Sequence, residues 1–275
     1  MTRRRAAGIA ATLALAAACS AHVRPSPDAL RAQGRAEPVV AIGANARGGP
    51  LGGYVIVLDP GHDGGNASNP SFINHQVPNG IGGTKACDTV GTRTASGYPE
   101  HAFTFDVVQR AAALMRSEGA TVVLTRRSDT GLGPCVDMRA KIGNRATGPA
   151  ALAISVHADG GPVSGRGFHV IEPGYHSGSA VDAVLKPSDR LAHALIAAVL
   201  ADTGTGRSTY VGGGTGLVAR TDLAGLMLSR VPKVFIEAAN MRNPADAALC
   251  RSPAFRQKFA RALADAAIRF VHHRS

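Results

Sequence analysis

The sequence predicts a single α/β domain, built on a mostly parallel sheet of roughly six strands and flanked by helices. Two observations carry that prediction. Short apolar β runs alternate with segments of helical length and pattern, which is the signature of βαβ units. Three of those runs, VIVLDPGH, ALAISVHAD and KVFIEAAN, also carry a His or Glu beside Gly, Asp or Asn at their ends. Open α/β sheets bind ligands at the carboxyl-end rim, where such residues would stand.

The elements follow in order. Tyr54–Asp59 reads as the first strand, stopped by Pro60 and Gly61. Pro99–Glu118 reads as a helix, with Pro suited to its start and Glu100 complementing its positive end. Ala120–Arg126 is a strand, Asp137–Ala146 a helix, Ala151–Ala158 a strand and Gly167–Ile171 a shorter strand. Ser188–Asp202 is helical, Lys233–Ala238 is a strand, and Pro253–His272 is a closing helix. Gly64 to Tyr98 shows almost no apolar period and reads as one long functional or mobile loop. No internal repeat is visible.

Composition narrows the setting. The apolar fraction of 45% is enough for a sizeable core in 275 residues. The formal charge of +11 suits an anionic partner: nucleic acid, acidic lipid or an acidic wall polymer. The amino terminus chooses among them. Arg3, Arg4 and Arg5 precede an Ala/Leu-rich stretch from Ala6 to Ala18, which describes a secretory signal peptide over residues 1–21. That stretch is too short to span a bilayer, so no transmembrane segment is expected in the mature chain. Residues 22–53 read as a flexible linker rich in Pro, Ala, Arg and Gly, and residues 54–275 as the catalytic domain. Export to the periplasm or cell wall removes nucleic acid from the partners, and a monomer is expected. A lipid anchor at Cys19 would want Leu three places earlier, where Ala16 stands, so Cys19 is expected to leave with the signal.

Three cysteines remain for an oxidising compartment. Cys87 and Cys135 lie in Gly/Thr/Pro-rich loops that can approach one another, and they are expected to form a disulfide. Cys250 is left unpaired. No CxxC spacing supports a cysteine-based zinc site.

The chemistry concentrates in four residues. His62, Glu100 and His157 supply nitrogen and oxygen donors from separate elements, and three protein ligands with an open position suit catalytic zinc. Glu237 is then a carboxylate close to the water, placed as general base. Asp59 is expected to orient His62. Blander roles exist for each: a loop-capping His62, a Glu100 that only meets the helix dipole, and a Glu237 paired with Arg242 or Arg220. His101 and His169 are candidates for the cleft wall. Nucleotide binding finds no support, because PGHDGGN lacks GxGxxG spacing and GGGTG lacks the Walker pattern.

VIVLDPGHDGG, Glu100 at a helix start, AISVHAD followed by GRGFHV, and VFIEAANMRNP together resemble the zinc-dependent N-acetylmuramoyl-L-alanine amidases of the amidase-3 family, and in particular exported mycobacterial single-domain members. The resemblance runs from about Tyr54 to Phe270. It implies zinc on His62, Glu100 and His157, catalysis by Glu237, and cleavage of the amide between N-acetylmuramic acid and L-alanine of peptidoglycan stems. GHDGG replaces the family's usual GHGG, and AANMRN follows Glu237 where GFLSN is usual, with Asn243 keeping the final position. The short Pro173 to Ser188 segment leaves no room for the inhibitory helix of some relatives. Two rivals stay open: another peptidoglycan zinc peptidase, and a non-catalytic wall-binding protein of the same fold.

Overall fold

The computed structural model describes residues 48–145, 152–179 and 181–272. The expected signal peptide, Cys19 and most of the expected linker lie outside the described residues. Leu51 is fully buried, and its N–H donates to the Glu118 carbonyl at 2.8 Å, so the packed chain includes residues before the expected start at Tyr54.

Chain order is β1 (Val55–Pro60), α1 (Pro70–Ile73), β2 (Gln76–Pro78), β3 (Thr84–Ala86), α2 (Glu100–Ser117) and β4 (Thr121–Leu124). Then come α3 (Val136–Asn144), β5 (Leu152–Asp159), β6 (His169–Pro173), α4 (Leu185–Thr203) and β7 (Leu217–Arg220). The chain closes with α5 (Ala224–Met227), β8 (Lys233–Asn240), α6 (Pro244–Arg251) and α7 (Pro253–His272).

Six strands form one sheet in the order β4-β1-β5-β8-β6-β7. β4, β1, β5 and β8 are mutually parallel, while β6 runs antiparallel to β8 and β7 follows β6. The chain passes from β1 to one side and returns to its other side at β5. That reversal opens a crevice between the carboxyl ends of β1 and β5, the general ligand position of open α/β sheets.

Strand residues alternate between two faces, and the faces differ. Ile56, Leu58, Leu152, Ile154, Val156, Val234 and Ile236 pack against α2, α4 and α7 through Phe103, Val107, Leu191, Leu195, Phe259 and Leu263. Each such fully buried side chain contributes roughly 1.5–3 kcal/mol. On the opposite face Val57, Val123 and Ala153 meet Ile142 of α3. The same face carries buried Asp59, Ser155 and Lys233. At the carboxyl end it presents His157 and Glu237. One period-2 pattern therefore builds the core on one side and the site on the other.

Several elements were not anticipated. The segment read as one loop, Gly64 to Tyr98, holds α1 and the antiparallel β2–β3 ribbon. Elements of three or four residues are too short to show a period. α4 begins three residues earlier than expected because Pro187 fits within its first turn. α6 was missed altogether, although Asn243 caps it by accepting from the N–H groups of Ala245 and Asp246 and Pro244 starts it. Cys250 lies buried near the end of α6, three residues before α7 begins. Between Pro173 and Leu185 the described residues form turns and one 3₁₀ turn, Asp182–Val184.

Candidate metal centre and active site

His62, Glu100 and His157 converge. His62 lies two residues past β1, Glu100 opens α2, and His157 stands near the end of β5. Glu100 Oε1 is 3.0 Å from His62 Nε2 and 3.0 Å from His157 Nδ1. One donor atom from each residue lies within 4.8 Å of the others, and the imidazole rings stand at 89° with centroids 5.0 Å apart. The cluster is buried: His62 is 8% exposed and Glu100 4%.

Local structure holds each donor. His62 has φ of 57°, the sole positive φ outside glycine among the described residues, and that strain turns the ring back toward the crevice. Its Nδ1–H donates to the Thr89 carbonyl at 3.0 Å, which turns Nε2 toward Glu100. Glu100 Oε2 accepts from the Thr92 N–H at 2.8 Å, and Oε1 accepts from the Ala158 N–H at 3.2 Å. The His157 ring stacks on Phe235, centroids 5.1 Å apart and planes at 10°. Gly61 and Gly91 give the cluster its room, since a Cβ on Gly61 would fall 2.2 Å from His157 Cε1 and one on Gly91 2.8 Å from Glu100 Oε2.

The expected partner of His62 is corrected. Asp59 lies on the sheet face and is taken by Lys233 Nζ (3.1 Å), Arg139 Nη1 (2.8 Å), Thr125 Oγ1 (2.6 Å) and Ser155 Oγ (2.8 Å). Asp88 instead approaches His62 Nδ1, at 3.6 Å, from the loop that also supplies Thr89. Asp88 follows Cys87, and the disulfide Cys87–Cys135 forms as expected, tying this loop to the start of α3. His101 turns away to Asp129 at 2.8 Å. His169 is buried with its ring edge-on to Tyr210 and lies beside Glu237 in the β6–β8 register.

Glu237 is the in-register neighbour of His157 on the adjacent strand. Neither Arg220 nor Arg242 forms an ion pair with it among the described residues: Arg220 chelates Asp222 through Nε at 2.8 Å and Nη2 at 2.5 Å. The buried Glu237 Oε2 has no hydrogen-bond partner there either. An orphaned carboxylate oxygen is costly to bury, so it is fitted to something that arrives. Glu237, His62, Glu100 and His157 share a cavity of about 340 Å³, whose wall also includes Lys85, Arg220 and Phe235.

The electrostatics ask for a cation. Burial disfavours charge on His62, yet Glu100 and Asp88 outweigh it and push the imidazole up to about 10. Burial also opposes the Glu100 carboxylate, but His62 and His157 hold it well below the ordinary range. Burial, Glu100 and Asp159 raise Glu237 well above the usual carboxylate value, against smaller effects of His62 and Arg220. A positive ion among the three donors would take the place of the protons they otherwise share. Two imidazole nitrogens, one carboxylate and a nearby unpaired carboxylate are a donor set that fits a hydrolytic divalent metal. The residues sequence reading missed are Asp88, Thr89, Thr92 and Arg139, which act through backbone carbonyls, N–H groups and long-range contacts that leave no local pattern.

Comparison with known proteins gives the family. The chain is 44% identical over 229 residues to N-acetylmuramoyl-L-alanine amidase Rv3717 of Mycobacterium tuberculosis, covering 83% of this chain and 90% of that one. The crystal structure of the amidase Ami1 from Mycobacterium smegmatis superposes with a TM-score of 0.74 at 42% identity, covering 81% of this chain and 98% of that one. The apo Ami1 from Mycobacterium abscessus gives 0.73 at 42% identity, with coverage of 80% and 99%. Residues 56–269 match the family Amidase_3, N-acetylmuramoyl-L-alanine amidase, and the chain belongs to that family.

Proposed function

We propose that His62, Glu100 and His157 hold a zinc ion, and that Glu237 is the general base and acid in cleaving the amide between N-acetylmuramic acid and L-alanine of peptidoglycan stems. The observation that carries this reading is the unpaired, buried Glu237 Oε2 beside a three-donor cluster. When bound, zinc would polarise the lactyl carbonyl and lower the pKa of water. The chain's own residues do the rest. Glu237 Oε2 accepts the proton of the attacking water, and the same carboxyl returns it to the leaving alanine nitrogen. Burial and the neighbouring carboxylates raise its basicity. The Thr89 carbonyl fixes the His62 tautomer, and Phe235 fixes the plane of His157.

Lys85 and Arg220 on the cavity wall are cations suited to the carboxylates of the stem peptide. The chain acts on the wall after export, as a monomer. None of the helices among the described residues is long and apolar enough to cross a membrane. The deciding experiment digests purified muropeptide with and without chelator, then restores activity with zinc. Release of an intact stem with an L-alanine amino terminus, lost on chelation, is expected. Cuts between stem residues would instead identify a peptidase. Bound zinc with no product would identify a wall-binding protein.

A further inference from the structure

We propose that Arg139 is a positioning residue of the metal centre, holding His62 at both its main chain and, through Asp88, its ring. The proposal rests on the reading that His62, Glu100 and His157 bind a metal. Arg139 is buried on α3 and lines the same cavity as the donors. Its guanidinium reaches six oxygens. Nη1 donates to Asp59 Oδ1 (2.8 Å) and the Pro60 carbonyl (2.6 Å). Nη2 donates to the carbonyls of His62 (3.0 Å) and Gly133 (3.1 Å) and to Asp88 Oδ2 (3.1 Å). Nε donates to the Pro134 carbonyl at 2.8 Å.

These partners come from three segments that the fold must bring together: the end of β1, the Asp88 loop and the turn before α3. An ion pair needed only for stability would be met by Asp59, which already has Lys233 on its other oxygen. What Arg139 adds is geometry. It grips the carbonyl of His62, whose backbone stands in the strained left-handed region, and it orients Asp88, whose other oxygen faces His62 Nδ1. Partners behind a metal-binding histidine set its ring orientation and basicity, and their loss weakens metal binding. Only a planar fork can serve so many oxygens at once. Lysine keeps the charge and loses the fork.

The test uses Arg139→Lys and Asp88→Asn, with Leu263→Ala as a control that perturbs the remote core of α7. Three quantities are measured: thermal stability of the metal-free protein, zinc affinity against a chromophoric chelator, and the visible spectrum of the cobalt-substituted form. Arg139→Lys is expected to weaken zinc binding by about 10–100-fold and to shift the cobalt bands. Asp88→Asn should change both in the same direction. Leu263→Ala should lower stability and leave both unchanged. Variants that bind zinc as tightly as wild type with the same cobalt spectrum overturn the proposal. Should Arg139→Lys fail to fold, Asp88→Asn decides by the same criteria. Wild-type protein that takes up neither ion overturns the metal reading and the positioning role together; normal wild-type binding with unchanged variants overturns the positioning role alone.

Discussion

Glu237 and His157 are side-by-side partners across the parallel β5–β8 ladder, so a candidate base and a candidate ligand are held by one register. Neighbouring strands are about 4.8 Å apart, and in-register residues point to the same face. Their separation is therefore set by the sheet. A one-residue slip would send Glu237 to the helical core.

Glu237→Gln keeps the shape and removes the proposed base. Turnover should fall by about 10²–10⁴-fold while bound metal stays at the wild-type level. Rates on muropeptide and metal content by atomic absorption check this. A variant that retains most of its rate would remove Glu237 from the chemistry.

Gly61→Ala should disable the centre from behind, since the new Cβ would lie 2.2 Å from His157 Cε1 and 2.5 Å from its Nδ1. Displacing that ring is expected to weaken zinc binding at least about tenfold and to cost about 1–3 kcal/mol in stability. Gly206→Ala, which meets nothing within 4 Å, is the neutral comparison. Unaltered affinity in Gly61→Ala would show that the ring can move without consequence.

The disulfide joins residues 48 apart in sequence. Replacing Cys87 and Cys135 with Ala together should lower stability by on the order of 2–4 kcal/mol, chiefly by freeing the unfolded chain. Urea unfolding at neutral pH measures it. Equal midpoints and slopes would mean that the loop is held by its other contacts alone.

Acid should unfold the protein through the buried ion cluster. Burial opposes the Asp88 carboxylate, but Arg139 and His62 outweigh it and bring it down to about 2. Burial likewise opposes Asp59, and Lys233 and Arg139 hold it well below the ordinary range. Both folded values lie below the unfolded ones, so the stabilisation is complete above about pH 5 and disappears as pH falls toward 2. Urea midpoints of the metal-free protein across that window should decline, and Asp88→Asn should flatten part of the decline. A flat wild-type profile would contradict the cluster's role.

Much of the site was legible because each key residue ends or opens an element. His62, His157 and Glu237 interrupt apolar β runs, and Glu100 follows Pro99 at a helix start. The partner of His62 was not legible. Asp59 is three residues away in sequence yet points along the sheet face to Ser155 and Lys233, whereas the chain turns at Gly61 and aims His62 at Asp88. β7, α6 and the β2–β3 ribbon also escaped the reading, being short elements whose stability comes from neighbours rather than from their own period.

By itself, then, the sequence determined the alternation of strands and helices and pointed to the candidate donors and Glu237, because side-chain period and chemical type are local properties. Tertiary structure alone decided that β6 and β7 reverse direction, that Glu237 has an unpaired oxygen, and that Arg139 reaches His62 from α3. Those facts depend on which distant backbones meet in the low-dielectric interior, where every buried polar atom must find a partner, and no single segment contains that information.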